Sequence, residues 1–456
     1  MEKPGLAIGR IFFCVMRKEK KMQNHEPIYD VRTLGAGKTI ILGLQHTFAM
    51  FGATVLVPIL TGLPISTTLL FAGLGTLLFH LITKGQVPAF LGSSFAFLGG
   101  YAAVAPFLED GSPNTEMLPY ACGGVFCAGI VYLILSALIK GFGAKKVMRF
   151  FPPVVTGPII ISIGLILAPT AINNCATNWP VAIIALVTVV VFNIWGKGMS
   201  KIVPILIGII VSYIAALIMG DVSFEGITDE AILGLPPITL MKFDISAIIT
   251  IMPLALATMM EHIGDISAIG ATTGKNYIEK PGLHRTLLGD GLATCLAAAF
   301  GAPANTTYGE NTGVLALTKV YDPRVMRIAA IFAIILSCVP KVAFVIESIP
   351  TATIGGISFI LYGMISAIGI RNVVENHVDF TRSRNTIIAA LILVCALGFN
   401  SIGGISFTAF GATISLSGLA IASLVGIIVN AILPGNEYEF KESADENNEK
   451  FQTYKL

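Results

Sequence analysis

Apolar stretches long enough to cross a membrane recur along this chain from Ile40 to Leu433, and they constrain its fold more than any other feature. A bilayer core is spanned by about 20 mostly apolar residues in a helix. Only 12% of the residues are Asp, Glu, Lys or Arg, whereas a soluble domain carries about 25%. The sequence therefore predicts an all-α polytopic membrane protein.

Hydropathy, with Gly, Pro and charge clusters taken as the boundaries between segments, predicts fourteen transmembrane segments. Their approximate cores are residues 39–61, 66–83, 88–107, 118–140, 152–173, 178–195, 202–219, 246–268, 285–301, 304–319, 325–346, 350–370, 385–402 and 409–433. Every second loop is basic, and the loops between them are neutral or acidic. Because basic loops mark the cytoplasmic side, we expect cytoplasmic tails at 1–37 and 434–456 of a multi-pass protein of the cytoplasmic membrane. Met22, which follows a basic run, is an alternative start to Met1.

Similar polar residue pairs recur inside the spans at a nearly constant separation in the sequence. Gln45 and His46 lie in span 1, and Glu261 and His262 lie in span 8, 216 residues later. A Pro-Ala pair opens span 3 at residue 88 and span 10 at residue 303. This recurrence indicates that the chain contains two copies of one repeat, each with seven spans. Because seven is an odd number, the second copy enters the membrane from the opposite side. We therefore expect two inverted 7-segment repeats, an arrangement that places substrate near the membrane midplane.

Acidic residues inside the spans mark a candidate site. Glu261 and Asp265 share one face of span 8, and Glu310 follows Gly309 in span 10. A charge at membrane depth costs roughly 2.5–3.5 kcal/mol, so such residues are functional candidates. Because spans 1, 3, 8 and 10 offer no interior basic residue except histidine, at least one carboxyl is expected to take up a proton on one side and release it on the other.

The same spans suggest what the site binds. Carboxylates and backbone amides favour a planar, neutral heterocycle with N–H donors and carbonyl acceptors, and Phe95 and Tyr308 could stack on it. An inorganic anion is disfavoured because no Arg or Lys faces the site. Phe95 is equally well explained as core packing, and His46 is better explained as a helix-bridging hydrogen bonder than as a proton carrier. No nucleophile or metal-ligand set is present, so we expect no enzyme, no cofactor and no nucleic-acid partner.

The run from Gly309 to Gly313, GENTG, continues to Thr318 and Lys319. It resembles the signature of the nucleobase–ascorbate (nucleobase:cation symporter-2) transporters. The Gln-His pair in span 1 is a second mark of this family, and LQHTFAMFGATVLVPIL and NTTYGENTGVLALTKVY resemble its bacterial members. The resemblance covers residues 38 to 433. The signature residues carried over are Gln45, Asn311, Gly313 and Thr318.

The resemblance implies a fold of fourteen segments with short β-strands interrupting spans 3 and 10. It implies a core domain, 38–150 (spans 1–4) and 246–346 (spans 8–11), moving against a gate domain, 151–220 (spans 5–7) and 350–433 (spans 12–14), in a homodimer within the lipid bilayer. The implied activity is secondary active import of uracil with protons. A sodium-coupled transporter and a xanthine, guanine or urate permease of the same family are alternatives, and an anion exchanger of related fold is the least favoured.

Site residues also follow from the resemblance. The carboxylates of Glu261 and Glu310 would bind the pyrimidine ring, and backbone at Tyr308 and Gly309 would contact its carbonyl side. The ring faces would be lined by two residues, Phe95 and Ala53. Tyr362 is expected to approach the pyrimidine ring from the gate domain.

One departure from the family pattern affects the coupling ion. In the familiar span 8 motif, Glu-His-Val-Gly-His, the last residue is histidine, and here Asp265 takes its place. A histidine–carboxylate proton relay therefore does not transfer unchanged. The candidates for proton coupling are Glu261, Asp265 and His46.

Overall fold

The computed structural model describes residues 26–222, 231–409, 412–435 and 438, and it is mostly helical. The first half contains α1 (Ala36–Thr61), α2 (Ile65–Ile82), β1 (Leu91–Ser93), α3 (Leu98–Val104), α4 (Leu118–Phe142), α5 (Ala144–Met148), α6 (Pro153–Ala176), α7 (Trp179–Trp195), α8 (Met199–Ile202) and α9 (Pro204–Met219). The second half contains α10 (Ile245–Ile251), α11 (Leu254–Thr273), α12 (Leu283–Ala299), β2 (Asn305–Thr307), α13 (Gly309–Thr318), α14 (Arg324–Ser337), α15 (Pro340–Glu347), α16 (Thr351–Glu375), α17 (Ser383–Ser401), β3 (Ile405–Ala409), β4 (Ala412–Leu416) and α18 (Gly418–Ile432). Both proposed starts and nearly all of the predicted C-terminal tail lie outside the described residues.

Apolar helices of spanning length confirm a polytopic membrane protein. Among the described residues, seven helices are long and apolar enough to cross a membrane, or eight if the pair α14 and α15, bent by 85°, forms one span. Shorter apolar helices include α7, α9 and α18. The count of fourteen segments stays a prediction.

Two short strands connect distant parts of the chain. Strand β1 pairs with β2 in antiparallel register, with Leu91 opposite Thr307 and Ser93 opposite Asn305. All six strand residues are buried in protein. Because the two strands satisfy each other's backbone groups, non-helical backbone is tolerated at this depth. A second antiparallel pair, β3 and β4, precedes α18.

The helices pack in pairs that join the two halves of the chain. Helix α2 packs against α14, α4 against α12, and α6 against α16. Within each half, α7 packs against α9 and α17 against α18. Glycines allow the closest of these contacts: a Cβ added to Gly369 on α16 would lie 2.7 Å from the carbonyl oxygen of Gly157 on α6. These pairings hold α1, α11, α13 and the strand pair at the centre of the fold.

Candidate functional site

The candidate site forms where the strand pair gives way to helices. Strand β1 leads into a short 3₁₀ turn, Phe95–Phe97, and then α3, while β2 leads into α13. Ser94 and Tyr308, which precede these two turns, have extended backbone, and neither caps its helix with a side chain. The first N–H groups of a helix have no partner within the helix. The first turn of α13 can therefore donate hydrogen bonds to a ligand, and its dipole favours an electron-rich atom there.

Carboxyl groups from three helices gather beside this turn. Glu261 and Asp265 lie on α11, Glu310 lies in the first turn of α13, and Asp290 lies on α12. They are close enough to act on one another electrostatically, and among the described residues no Lys or Arg counts among the charges acting on them. The hydroxyl of Thr307 donates to Asp265 Oδ2 at 2.9 Å. Like charges at membrane depth need protons or a ligand's N–H groups to offset them.

Open space lies in front of α13. A Cβ added to Gly309 would have only one neighbour within 4 Å, Asp265 Oδ1 at 3.8 Å, and one added to Gly264 on α11 would have none. Glu261, Asp265 and Glu310 are each half-buried rather than enclosed. The space beside Gly264 on α11 and Gly309 on α13 is therefore not filled by side chains.

The ring of Tyr308 does not face this space. It is buried, and a Cβ added to Gly92 would lie 2.5 Å from one of its ring carbons, so the ring packs directly on strand β1. Its hydroxyl donates to the carbonyl of Ser93 at 2.9 Å and accepts from Thr54 Oγ1 at 3.3 Å. In this structure the ring fills the interface between α1 and the strands, and its stacking on a ligand stays a prediction. The backbone of Tyr308 remains at the start of α13.

Three other predicted lining residues have different surroundings. Phe95 is half-buried and packs against both of the large apolar clusters of the protein. Ala53 is 1% exposed in the cluster that contains Tyr308, and Tyr362 is 2% exposed on α16. Phe95 is thus the one of these three side chains that is open to a ligand in this conformation.

The signature residues tie α1 to α13. The amide of Asn311 donates to the backbone oxygen of His46 at 3.1 Å and lies 3.2 Å from its Nδ1 atom. Gln45 is half-buried, and its Oε1 atom has no partner among the described residues. Gly313 has open space beside it, and the hydroxyl of Thr318 bonds the carbonyl one turn earlier. His46 therefore has the helix-bridging position that its chemistry favours.

Asp290 is a further acidic residue of the site that was not among those predicted from the sequence. On α12, directly beside the carboxyl cluster, Asp290 Oδ2 lies 3.0 Å from His262 Nδ1, and both side chains are 0% exposed. An acidic residue in the middle of predicted span 9 was a readable signal, because intramembrane charges are rare and mark functional positions. No group of three or more His, Cys, Asp or Glu side chains in the described part of the chain could hold a metal ion.

The fold and site together define a polytopic membrane protein with a polar, acidic site at paired helix starts. Solved transporters share this fold. The transmembrane domain of the cyanobacterial bicarbonate transporter BicA aligns with a TM-score of 0.58 at 14% identity, over 89% of this chain and 98% of that one. SLC26A9 aligns with a TM-score of 0.62 at 13% identity, over 94% of this chain and 69% of that one.

Sequence comparison identifies the family. Residues 37–405 match the model for xanthine and uracil permeases, which is described as "Permease family", and the chain belongs to this family. The uracil permease of Bacillus caldolyticus is 40% identical over 93% of this chain and 98% of its own length. The uracil permeases of Bacillus subtilis and Escherichia coli K12 are each 38% identical, over 90% and 87% of this chain and 95% and 91% of their own lengths. The family resemblance inferred from the motifs is confirmed.

Proposed function

We propose that this protein imports uracil together with protons across the cytoplasmic membrane by alternating access. One observation carries the proposal: Glu310 lies in the uncapped first turn of α13, beside open space that a carboxylate of α11 borders. The names and full-length similarity of the relatives support uracil as the substrate.

The chemistry of the site matches a pyrimidine ring. Uracil has two N–H donors and two carbonyl acceptors on a flat ring. Glu261 and Glu310 accept its N–H groups, while backbone N–H groups at the start of α13, from Gly309 onward, donate to a carbonyl. Phe95 covers one face of the ring.

Proton coupling is supported by the charges of the site. The carboxyls of Glu261, Asp265 and Glu310 face no cation that would hold them ionised among the described residues. A proton that enters with the neutral base reduces this repulsion, and its release on the other side restores it. Glu261 and Asp265 are the carriers we propose, with His46 positioning the adjacent helices.

The packing of the helices supports the inverted repeat. If each span is exchanged for its counterpart seven spans away, the pair α2 and α14 becomes the pair α12 and α4, and the pair α7 and α9 becomes the pair α17 and α18. All four pairs occur in the fold. We therefore propose fourteen spans in two inverted repeats, with β1 and β2 interrupting spans 3 and 10 and both termini cytoplasmic.

A core of 38–150 and 246–346 then moves against a gate of 151–220 and 350–433, within a homodimer. A small cavity supports this boundary. It is lined by core residues such as Gly99 and Leu254 and by gate residues such as Ile163 and Leu419.

The test is uptake of radiolabelled bases by proteoliposomes that contain the purified protein, with and without an imposed pH gradient. We expect uracil uptake that a protonophore abolishes. Uptake that depends on sodium and ignores the protonophore would overturn proton coupling. Uptake of xanthine or guanine without uracil would overturn the substrate.

Single variants test the residue roles in the same assay. Glu261→Gln should weaken uracil binding and abolish accumulation driven by the gradient, whereas the matched control Glu109→Gln, in an exposed loop, should behave as wild type. Undiminished accumulation in Glu261→Gln would move the coupling proton to another group, with Asp265 as the first candidate. Glu310→Gln should lose uracil affinity, and a gain of purine uptake would identify this position as the discriminator between bases.

A further inference from the structure

Residues 28–34, which precede α1, form a strap across the ends of the helices that carry the site. The backbone N–H of Ile28 donates to the carbonyl of Lys319, the residue that follows α13, at 2.9 Å. The carbonyl of Ile28 accepts from the N–H of Tyr321 at 2.8 Å. Ile28 thus forms backbone hydrogen bonds with the residues on both sides of Val320, as a neighbouring β-strand would. These bonds fix the chain at the end of α13.

The strap also reaches α11. The hydroxyl of Tyr29 donates to the carbonyl of Thr273, the last residue of α11, at 2.8 Å. The ammonium of Lys275 lies 4.6 Å from the centre of the Tyr29 ring, within the range of a cation–π contact. Ile28 bonds the chain that follows α13, so two adjacent residues of the strap connect the ends of the two helices.

Charged groups fix the next turn of the strap. The N–H of Val31 donates to Asp322 Oδ2 at 2.9 Å, and the other oxygen of Asp322 accepts from the N–H of Arg324 at 2.9 Å. The guanidinium of Arg324 bonds Asp30 Oδ1, also at 2.9 Å. The strap then turns at Gly35 directly into α1, the helix that binds Asn311 through His46.

We propose that residues 28–34 act as a clasp that positions the two carboxyl-bearing helices relative to each other, which makes Tyr29 and Asp322 positioning residues of the transport site. Thr273 lies eight residues beyond Asp265, and Lys319 lies nine beyond Glu310. At about 1.5 Å per residue, each site carboxyl is only about 12–14 Å from the clasp along a helix. A packed helix moves as a unit over this distance, so a shift at the clasp reaches the site.

The inference rests on the proposed function for its substrate, and two variants test it. Tyr29→Phe removes only the hydroxyl bonded to α11, and Asp322→Asn weakens the bonds to Val31 and Arg324. The matched control is Asp379→Asn, in the loop between α16 and α17, where the carboxylate accepts from Thr381 N at 2.9 Å and from its hydroxyl. The control thus applies the same Asp-to-Asn change to hydrogen bonds that involve neither the clasp nor a residue of the two carboxyl-bearing helices.

The first readout is uracil uptake by equal amounts of folded protein. A positioning role predicts that KM rises about 3- to 10-fold in Tyr29→Phe and Asp322→Asn and stays within twofold in Asp379→Asn. The wild-type protein in the same assay separates the proposed clasp from the proposed substrate. If the wild-type protein takes up another base but not uracil, that result contradicts the proposed function and leaves the clasp untouched.

The second readout needs no substrate. Amide hydrogen exchange reports local opening, and the clasp variants should speed exchange at residues 313–316, whose N–H groups are bonded within α13. The proposal is overturned if exchange changes only at residues 28–34 and 319–324 while KM for the transported base equals that of wild type. A role in stability alone gives that result.

Discussion

Tyr308→Phe distinguishes a structural ring from a ligand-stacking ring. The variant keeps the buried ring but deletes a hydroxyl that donates to the Ser93 carbonyl at 2.9 Å and accepts from Thr54 at 3.3 Å. A buried hydrogen bond contributes about 0.5–1.5 kcal/mol net, so losing the two should lower the free energy of unfolding by about 1–3 kcal/mol. Because the hydroxyls of Thr54 and Tyr308 share one of these bonds, we expect Thr54→Val to cost less in the Tyr308→Phe background than in wild type.

The assay is equilibrium unfolding in mixed micelles, with uptake kinetics measured on the same preparations. Tyr120→Phe, at a half-buried ring on α4, is the control for loss of a tyrosine hydroxyl as such. The structure predicts reduced stability in Tyr308→Phe with a smaller change in KM. The reasoning is refuted if Tyr308→Phe unfolds like wild type while KM rises, since that result would mean that the hydroxyl faces the substrate.

Three further outcomes follow from the structure. Gly309→Ala adds a methyl group to open space, so melting should be unchanged while KM for uptake rises about 10-fold, and an unchanged KM would mean that no ligand lies there. Asp290→Asn removes the carboxylate beside the buried His262 Nδ1 atom, and leaving a buried polar group without its partner costs about 1–3 kcal/mol of unfolding free energy, measured in the same micelles. Hydrogen bonds from Arg32 hold the pKa of Asp30 below its ordinary range. The stabilisation that the ionised Asp30 carboxylate gives the folded protein is fully present above the ordinary pKa, about 4. It is lost as pH falls through the lower pKa that Asp30 has in the folded state. Asp30→Asn should therefore melt earlier than wild type at neutral pH, and the gap should close only in strong acid.

The positions of the site elements could be predicted from the sequence because intramembrane polar residues are rare. The recurrence of polar pairs directed attention to Glu261, and the Gly-Glu run directed it to Glu310. The residues of β2, Asn305–Thr307, are poor helix formers. Each of these is a local signal, in which a costly or unsuitable residue type marks an exception to the apolar helical pattern.

The direction of the Tyr308 side chain could not be predicted locally. Successive side chains of an extended segment point to opposite sides, and Thr307 points to Asp265 on α11. Tyr308 therefore points away from α11, toward Gly92 on the strand that pairs with it. Knowledge of which neighbour lies on which side of β2 comes only from the tertiary fold. The clasp was missed for the same reason, because its partners lie 244 to 294 residues away in sequence.

Asp265 connects the departure from the family motif to the coupling ion. One of its oxygens is held by Thr307, and the other borders the open space in front of Gly309. If uracil binds there as proposed, its two N–H groups can satisfy Glu261 and Glu310, and no substrate donor remains for Asp265. A carboxylate at membrane depth with one unsatisfied oxygen is costly unless a proton or cation joins it. A histidine at this position could remain neutral without a bound proton, whereas an aspartate is neutral only when protonated, and for this reason we propose Asp265 as a carrier of the coupling proton.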